Sequence, residues 1–112
     1  MAFVVRAYPV RNRESVGHFI GELQRRAEET RNFYRSFNVK REMWFFQQTA
    51  HGPIVIGVTE LDDVAKNAAA YKDSTDPFAS WFKEQVVEMS GVDPNVTPLG
   101  PPSEMVFDSS LL

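Results

Sequence analysis

The sequence predicts an α+β sandwich, with helices on one face of an antiparallel sheet, from three observations: the order of apolar periodicities, one hairpin of unusual greasiness, and a length suited to a single core. The periodicities switch between two and 3.6 residues in the order strand, helix, strand, strand, split helix, strand. The hairpin is "REMWFFQQTAHGPIVIGV", Arg41 to Val58, in which Met43, Trp44, Phe45 and Phe46 are consecutive. The chain has 112 residues, 43% hydrophobic and 24% charged, which suits one globular domain over 1–112.

The first strand is expected from Ala2 to Val10. Phe3, Val5 and Ala7 point one way and Val4, Arg6 and Tyr8 the other, with Pro9 limiting pairing near the end. Asn12 then caps a long helix running to about Phe37. Val16, Phe19, Ile20, Leu23, Ala27, Tyr34 and Phe37 form its apolar stripe, opposite a face carrying His18, Arg25, Glu28, Glu29 and Asn32.

Two strands follow, Val39 to about Thr49 and Ile54 to about Glu60. "AHGP" between them is a turn in which Gly52 is free to take positive φ and Pro53 opens the next strand. Asp62 or Asp63 starts a second helical region through "VAKNAAAYK". It is interrupted at "DSTDP", where Asp76 as cap and Pro77 at the first helical position restart it. Phe78, Trp81, Phe82, Val86 and Met89 recur at helical spacing as core, and Gly91 suits a left-handed cap. A proline-rich connection at 95–103 leads to "EMVFD", expected as a last strand. A ferredoxin-like fold is the simplest solution to this order.

Helices cover only one face of such a sheet, and an uncovered face is normally polar. Here both faces of the hairpin are apolar. Met43, Phe45, Ile54, Ile56 and Val58 are assigned to the helices. That assignment leaves Trp44, Phe46 and Val55, with Arg6, Tyr8, Glu42 and Gln48, facing outward. A register shift of one residue reverses the assignment. A large exposed aromatic patch calls for a cover. A second copy of the sheet is the expected one, giving a barrel-like homodimer with a mixed aromatic and polar interior.

This order of elements and the two-sided hairpin resemble the dimeric α+β-barrel superfamily, which includes stress-responsive barrel proteins and antibiotic-biosynthesis monooxygenases. More narrowly, "RSFNVKREMWFFQQTAHG", "DPFASWFKEQVVEMSGVD" and "GPPSEMVFD" resemble a group of uncharacterised bacterial proteins of that fold. The resemblance implies a homodimeric barrel. The superfamily spans oxygenases, isomerases, haem enzymes and ligand-binding proteins, so it selects no single activity.

Chemistry is then sought residue by residue. The absence of cysteine excludes disulfides and thiolate chemistry. His18 and His51, the two imidazoles, fall on a solvent face and in a turn, so no metal site and no haem ligand is expected. There is no Gly-x-Ser-x-Gly elbow and no phosphate loop. A net charge of −3 with scattered Lys and Arg argues against nucleic acid. The start of the sequence shows no signal peptide, and no apolar run is long enough to span a bilayer. A cytoplasmic protein without membrane partners or cofactors is therefore expected.

What remains is the mixed face. Arg6 offers a planar donor fork for a carboxylate or phenolate, or an ion pair with Glu42. Trp44 and Phe46 can stack on a flat ligand or form dimer core, and Tyr8 and Gln48 can orient a ligand or satisfy each other. The expected function is binding of a small aromatic or anionic molecule at Arg6, Tyr8, Glu42, Trp44, Phe46 and Gln48, in a pocket at or near the dimer interface. The alternatives are a structural or regulatory homodimer with a dry interface, and a cofactor-independent oxygenase or isomerase. Whether the protein is an enzyme stays open.

Overall fold

The computed structural model describes residues 2–91 and 102–112. Elements follow in the order β1 (Ala2–Pro9), α1 (Arg13–Arg25), α2 (Ala27–Ser36), β2 (Arg41–Thr49), β3 (Gly52–Leu61), α3 (Val64–Asp73) and α4 (Pro77–Ser90), with a short 3-10 turn at Ser109–Leu111. The sheet is antiparallel with strand order β1-β3-β2. This α+β arrangement is compatible with a ferredoxin-like fold. Among the described residues, no helix is long and apolar enough to cross a membrane.

The caps form where side-chain chemistry requires them. Asn12 Oδ1 accepts from the Ser15 amide at 2.7 Å, and Asp63 Oδ1 from the Lys66 amide at 3.0 Å. Asp76 accepts from the amides of Phe78 and Ala79 with Pro77 beside it. Each satisfies backbone donors that the first helical turn leaves open. Gly91 closes α4 at φ 78°. The hairpin turn is tighter than expected: Ala50 and His51 alone span it, Thr49 pairs with Gly52, and Gly52 takes φ 115°.

The expected single helix from Asn12 to Phe37 is broken. Arg26, at φ −104° and ψ 41°, separates α1 from α2. The Leu23 carbonyl stranded at this break is satisfied by the Thr30 hydroxyl at 3.0 Å, and the Arg26 guanidinium lies 4.3 Å from the centre of the Trp81 ring. The bend re-aims α2, so that Phe33, absent from the expected stripe, is the residue α2 buries.

The expected last strand is also absent. Among the described residues, the segment 102–108 has no regular secondary structure, and a single backbone bond, from the Ser103 amide to the Val5 carbonyl at 2.6 Å, links it to β1. Met105, Val106 and Phe107 are exposed. The proline-rich connection expected at 95–103 lies, as far as residue 101, outside the described residues.

The largest correction concerns the sheet faces. Register sets Val4, Arg6 and Tyr8 beside Thr59, Gly57 and Val55, and those beside Glu42, Trp44 and Phe46. This is the face assigned outward from sequence, and it is the one that meets the helices. Val55 is fully buried, as nearly are Val4 and Tyr8, and Trp44 and Phe46 pack on the core. Phe19 of α1 stands at its centre, with ring centroids 5.3 Å from Trp44 and 5.0 Å from Phe82. Phe33 stacks on Phe82 at 4.6 Å. The opposite face carries Phe3, Val5, Ala7, Met43, Phe45, Ile54, Ile56 and Val58, with Phe3 56% and Phe45 52% exposed.

Candidate functional site

A cavity of about 340 Å³ opens between the sheet and helices α2, α3 and α4. The sheet supplies its floor through Val4, Arg6, Tyr8, Glu42, Trp44, Gly57 and Thr59. Helix α2 supplies Phe33 and Tyr34, with Phe37 just past its end; α3 supplies Asn67, Tyr71 and Lys72; α4 supplies Phe82 and Val86. The volume lies in the ordinary range for small-molecule pockets, as does the pattern of aromatic walls with few polar groups.

Gly57 is central to the floor. It sits directly between Arg6 and Trp44 in the register, and a methyl group built there would meet Trp44 Cδ1 at 3.9 Å, an ordinary contact. A larger side chain would point into the space that the cavity occupies. A glycine inside an apolar strand is the sequence signal that could have located this site, since it often marks close approach of another group.

Four of the six residues expected to bind ligand share this cavity: Arg6, Tyr8, Glu42 and Trp44. The other two do not line it. Phe46 packs at the margin of the core with the Arg13 guanidinium 5.8 Å from its ring centre. Gln48 is exposed near the hairpin turn. The cavity lies under the chain's own helices, so it is not the sheet-to-sheet pocket that the sequence suggests. His18 and His51 are exposed, on the helix face and in the turn. No known protein family, curated protein or solved structure matches the chain.

The polar end of the cavity is built around Glu42. Its Oε1 accepts from Trp44 Nε1 at 2.6 Å and from the Tyr34 hydroxyl at 3.4 Å. Its Oε2 meets only the Thr59 hydroxyl, also at 3.4 Å. Burial among the aromatic walls pushes the carboxyl above its ordinary value of 4.5, because desolvation outweighs these hydrogen bonds and the pull of the Arg6 charge. Arg6 shares the cavity, but among the described residues it forms no close ion pair with Glu42. The phenols of Tyr8, Tyr34 and Tyr71 are likewise pushed up, first by burial and then by Glu42.

Tyr71 stands apart from the others. Its hydroxyl is shielded from solvent and meets no hydrogen-bond partner. Helix α3, which carries it, buries none of its own residues fully. It is tied down by Asn67 Nδ2, donating to the Phe37 carbonyl at 2.7 Å, and by Lys83. The Lys83 amine donates to the carbonyls of Lys72 and Ser74 at 3.0 and 3.1 Å. Sequence reasoning missed Tyr71 because it reads as one more helix residue in "NAAAYK".

Proposed function

We propose that this protein binds a small, flat, largely apolar molecule in the cavity between its sheet and helices. The observation that carries this reading is the cavity itself: it is of ligand size, aromatic on its walls, and holds a carboxyl, several phenols and two cations, Arg6 and Lys72. Arrangements of this kind orient a ligand through a few polar groups while burying its apolar bulk. With one acid and two cations around it, the cavity suits a neutral or anionic aromatic ligand.

A thermal-shift screen of aromatic acids and quinones tests the reading. A ligand present at one hundred times its Kd should raise the unfolding midpoint by on the order of 10 °C. Gly57→Leu, which fills the floor, should abolish the shift. A panel that never moves the wild-type midpoint, or moves the filled variant equally, would overturn it. If the protein is an oxygenase or isomerase, Glu42 is the group placed to accept a proton from the bound molecule.

A second reading is favoured by the outer sheet face. We infer that two copies associate through it. Phe3 and Phe45 are more than half exposed on a face that also carries Val5, Ala7, Met43, Ile54, Ile56 and Val58, with Arg41, Glu60 and Gln47 toward its ends, and apolar patches rimmed by polar groups mark association surfaces. Two-fold pairing is the common outcome for soluble oligomers. The dimer contact and the cavity would then lie on opposite faces of one sheet.

A further inference from the structure

The segment from Pro102 to Leu112 is exposed at every residue. Five of these residues are large and apolar: Met105, Val106, Phe107, Leu111 and Leu112. The segment is nevertheless shaped. Asp108 Oδ1 accepts from the Ser110 amide at 2.9 Å and from the Ser110 hydroxyl at 2.6 Å, and the Leu111 amide donates to the Asp108 carbonyl at 3.1 Å. The resulting turn sets out two leucines with no core behind them. The bond from the Ser103 amide to the Val5 carbonyl ties the segment to β1, an edge strand of the sheet. Val5 belongs to the outer sheet face. One chain therefore presents two unburied apolar surfaces side by side, a sheet face and a segment that starts at its border.

We propose that residues 104–112 form an arm that crosses to the outer sheet face of a second copy of this chain, while the arm of that copy returns the contact. The proposal rests on the association through that face inferred above and adds the element that completes it. Met105, Phe107 and the two leucines supply the apolar bulk that Phe3 and Phe45 lack on their own chain. Exchange about a two-fold axis uses the same two surfaces on each copy, so neither is left over.

Size and reach both favour the exchange. The outer face with its polar rim holds only about a dozen residues, against the roughly 20–30 a side that stable interfaces use. The residues of 102–112 bring the total into that range. Residues 104–112, drawn out, reach up to about 30 Å, whereas the axes of the two edge strands of a three-stranded sheet lie only about 10 Å apart. An arm of this length crosses a whole sheet. Contiguous exposed apolar groups of this extent are uncommon on a lone chain, and here the face and the arm account for each other.

Two measurements test the arm. A chain shortened after Ser103 should keep its far-ultraviolet circular dichroism, because every residue removed is exposed. In sedimentation equilibrium it should dimerise about a hundredfold more weakly than the full chain, having lost several apolar side chains from the contact. The chain has no cysteine, so engineered thiols report on one contact at a time. Chains carrying Phe107→Cys, mixed with chains carrying Phe45→Cys and treated with a short bismaleimide, should give a linked dimer holding one of each by mass spectrometry. Dimerisation unchanged by the shortening, or no mixed link, would overturn the arm and leave the sheet contact standing. So would a chain carrying both substitutions that links internally as a monomer, which would lay the arm on its own sheet. A full chain that stays monomeric at high micromolar concentration would overturn the arm and the sheet contact together.

Discussion

Trp44 Nε1 donates to Glu42 Oε1 at 2.6 Å, from two residues along the same strand and the same face of the sheet. The bond fixes one carboxyl oxygen and the indole together, so a single strand presents both an aromatic wall and an acid to the cavity. Burial holds that acid above its ordinary pKa.

Stability should fall with pH in the range where Glu42 is neutral in the folded chain but ionised in the unfolded one. That window opens near its ordinary value of 4.5 and closes at the higher folded value. Within it the folded state binds more protons, so the contribution of this group is fully present below the window and lost above it. Glu42→Gln should flatten that decline. Urea titrations of both proteins from pH 4 to 8 would show the variant gaining on the wild type as pH rises; parallel curves would refute the assignment.

Tyr71→Phe should leave the fold unharmed or strengthen it. The hydroxyl is buried without a partner, and such a group costs roughly 1–3 kcal/mol relative to one that is satisfied. Chemical denaturation should therefore give an unchanged or higher midpoint, in contrast to most core substitutions.

Lys83→Met should destabilise by about 1–3 kcal/mol, because the carbonyls of Lys72 and Ser74 lose their shared donor. The loss also removes a cation from the C-terminal end of α3, where the helix dipole favours one. Amide exchange should quicken in α3 before it does in the sheet.

Phe82 and Phe45 offer a matched contrast. Phe82 is buried against Phe33, Phe19 and Trp44, so Phe82→Ala should cost about 3–5 kcal/mol. Phe45→Lys should leave the fold of the single chain intact and weaken association of copies through the outer face. Sedimentation velocity at micromolar concentration is the check: a wild type that is monomeric, or a variant that still associates, would rule out that surface.

Much of the fold could be read from local chemistry. Asn12, Asp63, Asp76 and Gly91 cap helices where their side chains or conformational freedom say they should. Alternation also grouped the residues correctly: Trp44, Phe46, Tyr8, Arg6 and Glu42 do share one face. What alternation cannot supply is which face the helices choose when both are apolar, since periodicity is the same on either side. The choice was made by fit, with Trp44 and Val55 meeting Phe19 and Phe82. The break at Arg26 was hidden for a different reason. No proline or glycine marks it, and its compensation, Thr30 to Leu23, spans seven residues. That break moved Phe33 into the core. The candidate site was half legible because its floor lies on strands, whereas Tyr71 and Asn67 reach it from α3, whose pattern carries no strong apolar stripe.

Lys83 is only 5% exposed, and its amine sits between two carbonyls at the junction of α3 and α4. The other lysines, Lys40, Lys66 and Lys72, are exposed. An acylating reagent will consume those three quickly and reach Lys83 only when the end of α3 lifts. Its labelling rate, followed by mass spectrometry, is thus an internal clock for how often the cavity's outer wall swings open, and a seated ligand should slow that clock.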